Sequence, residues 1–228
     1  MHHFGNQDIH QKWCLIYVMH YEVTMKQYLF KIISLLSITL SGCAGVGVVA
    51  TSNPYTKLSD ATYLLEHENR ALIAERLIWE AIEICEEKSD QLCLAQSYRS
   101  YGFFFRSPYT ETWSKAFKEY GFHDKTATYE NRYLKSIEYF SKSKQIFTQL
   151  DKFGLLSNIN LNMAFTYNMM GKVKLACQAL DESVISNKKH LRANPEAASN
   201  QQKTLSLPDG FKTFDSFIHA QRERIGCS

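Results

Sequence analysis

Apolar residues recur at steps of three and four along most of the chain beyond Ser59. Between Asp60 and Glu87, Leu64, Leu65, Leu72, Leu77, Ile78, Ala81, Ile82 and Cys85 follow this period, with Glu66, Arg70, Glu75, Glu80 and Glu83 between them. That pattern predicts one helix or two, with Ser59 or Asp60 as N-cap and Glu66–Arg70 as a favourable i,i+4 pair. The same period predicts helices over Asp90–Phe105, Tyr129–Leu150, Leu155–Met170 and Val173–Lys188, and a last amphipathic one over Phe211–Ile225. Ser107-Pro108, Gly121, Gly154, Gly171, Pro195 and Pro208-Asp209-Gly210 supply stops and turns. No segment reads convincingly as a strand, so the expected class is all-α. Asn194–Leu207 has few apolar residues and reads as an exposed loop.

Upstream the pattern changes character. Lys26 and Lys31 accompany an apolar run, Ile32–Leu40, too short to span a bilayer, and the run closes in Leu40-Ser41-Gly42-Cys43. This order resembles the signal and lipobox of bacterial lipoproteins. The resemblance implies removal of residues 25–42, lipidation of Cys43 with fatty acyl chains, and a new amino terminus there. Ala44 after the cysteine, where aspartate is absent, resembles lipoproteins sent to the outer membrane, so the expected location is that membrane, facing the periplasm. Residues 1–24 fit no such signal and are expected to be an upstream extension ahead of a true start at Met25. On that reading His2, His3, His10, Trp13 and Cys14 have no role. Residues 43–58 are small, Gly-containing and interrupted by Pro54, as in a tether, which leaves 59–228 as a single helical domain.

Charge excludes one class of partner. The 26 Lys and Arg nearly balance the 23 Asp and Glu, and no basic block appears, so nucleic acid is not expected. Beyond Cys43 the cysteines are Cys85, Cys93, Cys177 and Cys227, an even set that suits an oxidising compartment. Cys85 and Cys93 flank the break Glu86–Gln91 and could staple a helical hairpin. Cys177 would then take Cys227, and the competing reading is buried free thiols.

A repeat organises the helices. Leu94-Ala95-x-x-Tyr98-x-x-x-Gly102 recurs as Met163-Ala164-x-x-Tyr167-x-x-x-Gly171, at a separation close to two periods of about 34 residues. It resembles the tetratricopeptide repeat. The resemblance implies antiparallel helical hairpins stacked into a short solenoid, with the small residue at a close helix crossing, the aromatic between repeats and the glycine at the turn. Ala176, Leu180 and Ser183 continue the match on a second helix. Ser136, Phe140 and Ser143 look like the second helix of an earlier repeat, and Ala81–Ile84 like the close of a first. Asn160 stands where the family has tryptophan, and an insertion at about 106–128 interrupts the Leu94 hairpin.

Chemistry is sparse. His67, His123, His190 and His219 share no ligand spacing with one another or with cysteine, and neither G-x-S-x-G nor a P-loop is present, so no metal, cofactor or catalytic residue is expected. Glu86-Glu87 reads as a charged helix end. The insertion concentrates Phe103, Phe104, Phe105, Tyr109, Trp113, Phe117, Tyr120, Phe122, Tyr129 and Tyr133, interleaved with Arg106, Lys115, Lys118 and Arg132. Most of these rings are expected to pack through a helix over Thr110–Tyr120, and an exposed subset to bind protein. Arg99, Tyr109, Trp113 and Asn160 are the candidate partner-binding residues. The expected function is a lipid-anchored periplasmic adaptor for protein–protein interaction that assists assembly of an envelope, secretion or pilus machine. The alternative is an immunity or inhibitor lipoprotein that neutralises a periplasmic toxin enzyme.

Overall fold

The computed structural model describes residues 51–199 and 207–227. The expected extension, the signal, Cys43 and the tether up to residue 50 lie outside the described residues.

Of the expected tether, residues 54–58 belong to a helix. Helix α1, Pro54–Glu66, starts where Asn53 accepts from the backbone N–H groups of Tyr55 and Thr56, with Pro54 in the first turn, and it buries Leu58, Ala61, Leu64 and Leu65. Ser59 and Asp60 are interior residues. The long period resolves into two helices, because Asn69 turns the chain at φ 51° before α2, Ala71–Glu87. That turn removes the expected Glu66–Arg70 pair, and Arg70 meets Glu68 instead at 3.2 Å.

Ser89, at φ 52°, reverses the chain again, and Asp90 caps α3, Gln91–Arg106, by accepting from Cys93 N–H at 3.0 Å. The Cys85–Cys93 disulfide closes this turn with Cα atoms 5.6 Å apart. The insertion forms two short helices, α4, Pro108–Thr112, and α5, Ser114–Tyr120, where one had been expected; Trp113 sits at the break. Then come α6, Arg132–Gln149, α7, Phe153–Met169, and α8, Val173–Ala193. The chain adds α9, Pro195–Ser199, and α10, Phe214–Ile225, the latter capped by Thr213. Cys177 on α8 bonds Cys227 with Cα atoms 5.7 Å apart. Both expected pairings are formed. Among the described residues there is no strand.

Each helix packs antiparallel on the next long one. Tyr101 on α3 reaches Glu75 on α2 while Cys93 reaches Cys85. Ser136 and Ser143 on α6 donate to the carbonyls of Gly102 and Ala95 on α3, at 2.8 and 2.6 Å. Ser157 on α7 and Ser183 on α8 exchange hydroxyl-to-carbonyl bonds at 3.0 and 2.7 Å. Small residues place these backbones close together. Two cores result: an aliphatic one around Ile159, Ala164, Ala176, Leu180 and Ile218, and an aromatic one under the insertion.

In the aromatic core Phe117 stacks on Phe122 with centroids 4.4 Å apart, and both pack on Phe104. Tyr101, Phe105 and Tyr139 continue the cluster. Most insertion rings are therefore packing residues, but Tyr120, expected among them, is 72% exposed.

Candidate functional site

Arg99, Phe103 and Arg106 fall at i, i+4 and i+7 of α3 and so share one stripe of the helix. The stripe faces a groove of about 360 Å³, walled by Ala61, Leu65 and Glu66 of α1 and by Pro108 and Tyr109 of α4. Both guanidinium groups lie over the Phe103 ring, at 5.5 Å for Arg99 and 5.2 Å for Arg106. Arg106 also donates through Nη2 to Asn162 Oδ1 on α7. Asn162 is in turn held by donating to the Asn158 carbonyl at 2.6 Å.

The electrostatics of this stripe are one-sided. Burial pulls both guanidinium groups below their ordinary range, and neither forms an ion pair with a described residue. The Nε of each is sealed from water without an acceptor. A sealed donor without an acceptor is costly, and Arg132 Nε is in the same position.

A second polar cluster sits under the insertion. Glu75, which falls between the apolar positions in sequence, is 2% exposed. Its carboxylate accepts from Tyr101 Oη at 2.6 Å and His123 N–H at 2.7 Å, with His123 Nδ1 at 3.0 Å. Asp124 accepts from Thr126 N–H, Thr126 Oγ1 and Tyr139 Oη, and pairs with Lys135 at 3.1 Å. Burial and the adjacent Glu75 carboxylate push the Tyr101 phenol far up, and burial with Asp124 does the same to Tyr139. Every carboxyl group in this cluster is committed to holding the insertion on α2 and α6. It is a clasp between the insertion and the two helices.

Of the candidate partner-binding residues, Arg99 and Tyr109 meet in the groove. Trp113 does not line it: its indole N–H donates to the Asn69 carbonyl at 2.8 Å, fastening the insertion to the α1–α2 turn. Asn160 is 3% exposed, with Nδ2 directed at Ser186 on α8, 3.5 Å away. It faces the helix pair it belongs to, so its assignment to an exposed groove wall is corrected. The helix the period predicts ends at Phe105, one residue short of Arg106, so the sequence alone does not place Arg106 on one stripe with Arg99 and Phe103.

Among the described residues no group of three or more His, Cys, Asp or Glu side chains could hold a metal ion, and no helix is long and apolar enough to cross a membrane. No protein-family model, curated protein or solved structure matches the chain, so its function has to be argued from the arrangement of its own residues.

Proposed function

We propose that the chain is a lipid-anchored adaptor on the periplasmic side of the bacterial outer membrane, and that it holds a segment of another envelope protein in the Arg99–Tyr109 groove. The observation that carries this reading is the groove itself: an apolar wall rimmed by hydrogen-bonding groups that the fold does not use. Its volume is within the range of about 300–1,000 Å³ usual for sites that bury a ligand. The Glu75 and Asp124 carboxylates are taken up by the clasp, and the groove pairs its one lining carboxylate, Glu66, with no histidine, an arrangement that suits binding.

The tetratricopeptide-like reading gives the groove a place. Hairpins α1–α2, α3–α6 and α7–α8 follow one another, and Ala95 and Ala164 are fully buried at matching positions. On that reading α1, α3 and α7 are the first helices of successive repeats and line the inner face, the surface on which stacked hairpins bind extended segments. Leu40-Ser41-Gly42-Cys43 supports the anchor.

The experiment is photo-crosslinking in intact cells from Tyr109 on the groove and from Ile185, which is 57% exposed on α8. The expected result is one and the same envelope protein captured from Tyr109 and absent from Ile185. Capture from Ile185 alone would move the binding face. In parallel, Cys43→Ala should leave precursor or a product that no longer partitions with membranes, since each buried methylene of an acyl chain contributes about 0.8 kcal/mol.

A further inference from the structure

Among the other described residues a partly buried lysine or arginine meets a carboxylate. Lys57 pairs with Glu80, Lys135 with both Asp124 and Glu138, and Arg132, held between the Tyr129 and Tyr133 rings, has Glu111 at 3.9 Å. Arg99 and Arg106 break this habit. The Arg99 side chain makes no hydrogen bond and no ion pair with any described residue, and its guanidinium lies over the Phe103 ring. Arg106 has one hydrogen-bond partner, the neutral Asn162. Glu66 lines the same groove but forms an ion pair with neither.

Two like charges gathered on one ring repel each other, and more strongly where water is partly excluded. Guanidinium groups stay charged under such conditions, so the cost is not relieved by loss of a proton. Of the Arg99 nitrogens only Nε is sealed from water; the terminal nitrogens remain reachable, as does Nη1 of Arg106. The stripe is thus a pair of planar donor forks, steadied by stacking and by Asn162, with open donor positions and no ion pair to a described carboxylate. Beside them runs the apolar wall of Ala61, Leu65 and Phe103.

We infer that the groove selects its partner segment through an aspartate or glutamate side chain, whose carboxylate is held by Arg99 and Arg106 while a neighbouring apolar side chain lies against Ala61, Leu65 and Phe103. The planar forks match a carboxylate. The apolar wall continuous with them singles out a polypeptide, because a free phosphate has no use for it. This inference rests on the adaptor reading of the same groove and adds the chemistry of what it holds.

The test uses the purified full chain and a bead-bound library of short randomised peptides, blocked at both ends so that only side chains carry charge. Enrichment of aspartate or glutamate beside leucine, isoleucine or phenylalanine is expected. For the best selected peptide, Arg99→Gln and Arg106→Gln should each weaken binding about tenfold or more, and amidation of the peptide's own carboxylate should do the same. Arg99→Lys should recover part of the loss, and Glu66→Gln should tighten binding by removing a like charge. Amidation of the peptide leaves the protein untouched and so reads the carboxylate contact even where an arginine variant unfolds. Selection of neutral or basic peptides, selection of none, or displacement of the peptide by inorganic phosphate alone would overturn the inference. Should it fall while Tyr109 still captures the envelope protein in cells, the adaptor reading stands without carboxylate recognition; loss of both results removes the adaptor reading as well.

Discussion

In the α7–α8 hairpin, Ala164 is fully buried in the core it shares with Ala176 and Leu180, Tyr167 is half-buried beside it, and Gly171 turns the chain at φ 70°. In the α3–α6 pair, Ala95 and Tyr98 occupy the matching places, yet Gly102 does not turn. It lies inside α3, where an added Cβ would stand 2.7 Å from ring carbons of Phe140. The helix continues through it because Phe104 and Phe105 bury themselves in the next turn, and the stop is deferred to Ser107-Pro108. Thus one residue pattern sets how closely two helices cross, while the residues that follow decide where the chain reverses. The deferred turn is also what places Arg106 on the stripe with Arg99. By continuing past Gly102, α3 gains about one turn, and that turn forms part of the groove wall.

The largest effect should come from breaking the aromatic core that makes this possible. Phe104→Ala is expected to cost about 3–5 kcal/mol in urea unfolding, with amides of α3–α6 losing hydrogen-exchange protection before those of α7–α8. Uniform loss would mean that the two pairs are one cooperative unit and that the contrast is only geometric. Next come the disulfides. With sequence separations of 8 and 50, closure of the turn by Cys85–Cys93 and of the carboxy-terminal loop by Cys177–Cys227 should contribute about 2.5 and about 4 kcal/mol in the chain-entropy account. Serine pairs at each bridge, compared by thermal unfolding, should follow that order. A third comparison makes the same change at both glycines. Gly102→Asn should cost about 1–3 kcal/mol through overpacking against Phe140. Gly171→Asn should cost less than about 1 kcal/mol, because nothing lies within 4 Å of the added Cβ and asparagine tolerates positive φ. Equal costs would sink the distinction between a packing glycine and a turning one.

The helical class, the long helices and both disulfides were legible because they depend on local period and chain order. Asn53-Pro54 is a start chemistry that was visible and misread, since its apolar support, Leu58 and Ala61, falls within what looked like a tether. Glu75 could not be read. Nothing around it in sequence distinguishes it from Glu80 or Glu83, and its partners Tyr101 and His123 arrive from distant segments. Asn160 shows the converse: a polar residue on a predicted helix reads as a partner-binding candidate, but the crossing with α8 covers it. The groove was half legible, in Arg99 and Tyr109. Arg106 was assigned to the insertion rather than to α3, and with that boundary misplaced the shared stripe disappeared.

The smallest expected effect is also the one that tests the comparison by charge. Burial alone would raise the Asp124 carboxyl, but the bonds from Thr126, with Lys135 and Tyr139, outweigh it and hold the group below its ordinary value. Glu138 is lowered for the same kind of reason, by Lys135 and Lys142 against burial. A carboxylate depressed in the folded state contributes stability above its unfolded pKa, about 3.9 for Asp, and loses it as pH falls through the folded value. Stability should therefore be level from neutral pH down to about pH 5 as far as these groups are concerned, and should fall below about pH 4. The cross-helix bonds of α7–α8 run between Ser157, Ser183 and backbone carbonyls, none of which titrates in this window. Hydrogen exchange measured across that range should show α6 and the insertion loosening while the amides around Ser157 and Ser183 keep their protection. Asp124→Asn, which retains the size of the side chain and removes its charge, should lower stability at neutral pH and flatten the acid limb. An unchanged acid limb in that variant would assign acid sensitivity to other carboxylates and leave the clasp as packing alone.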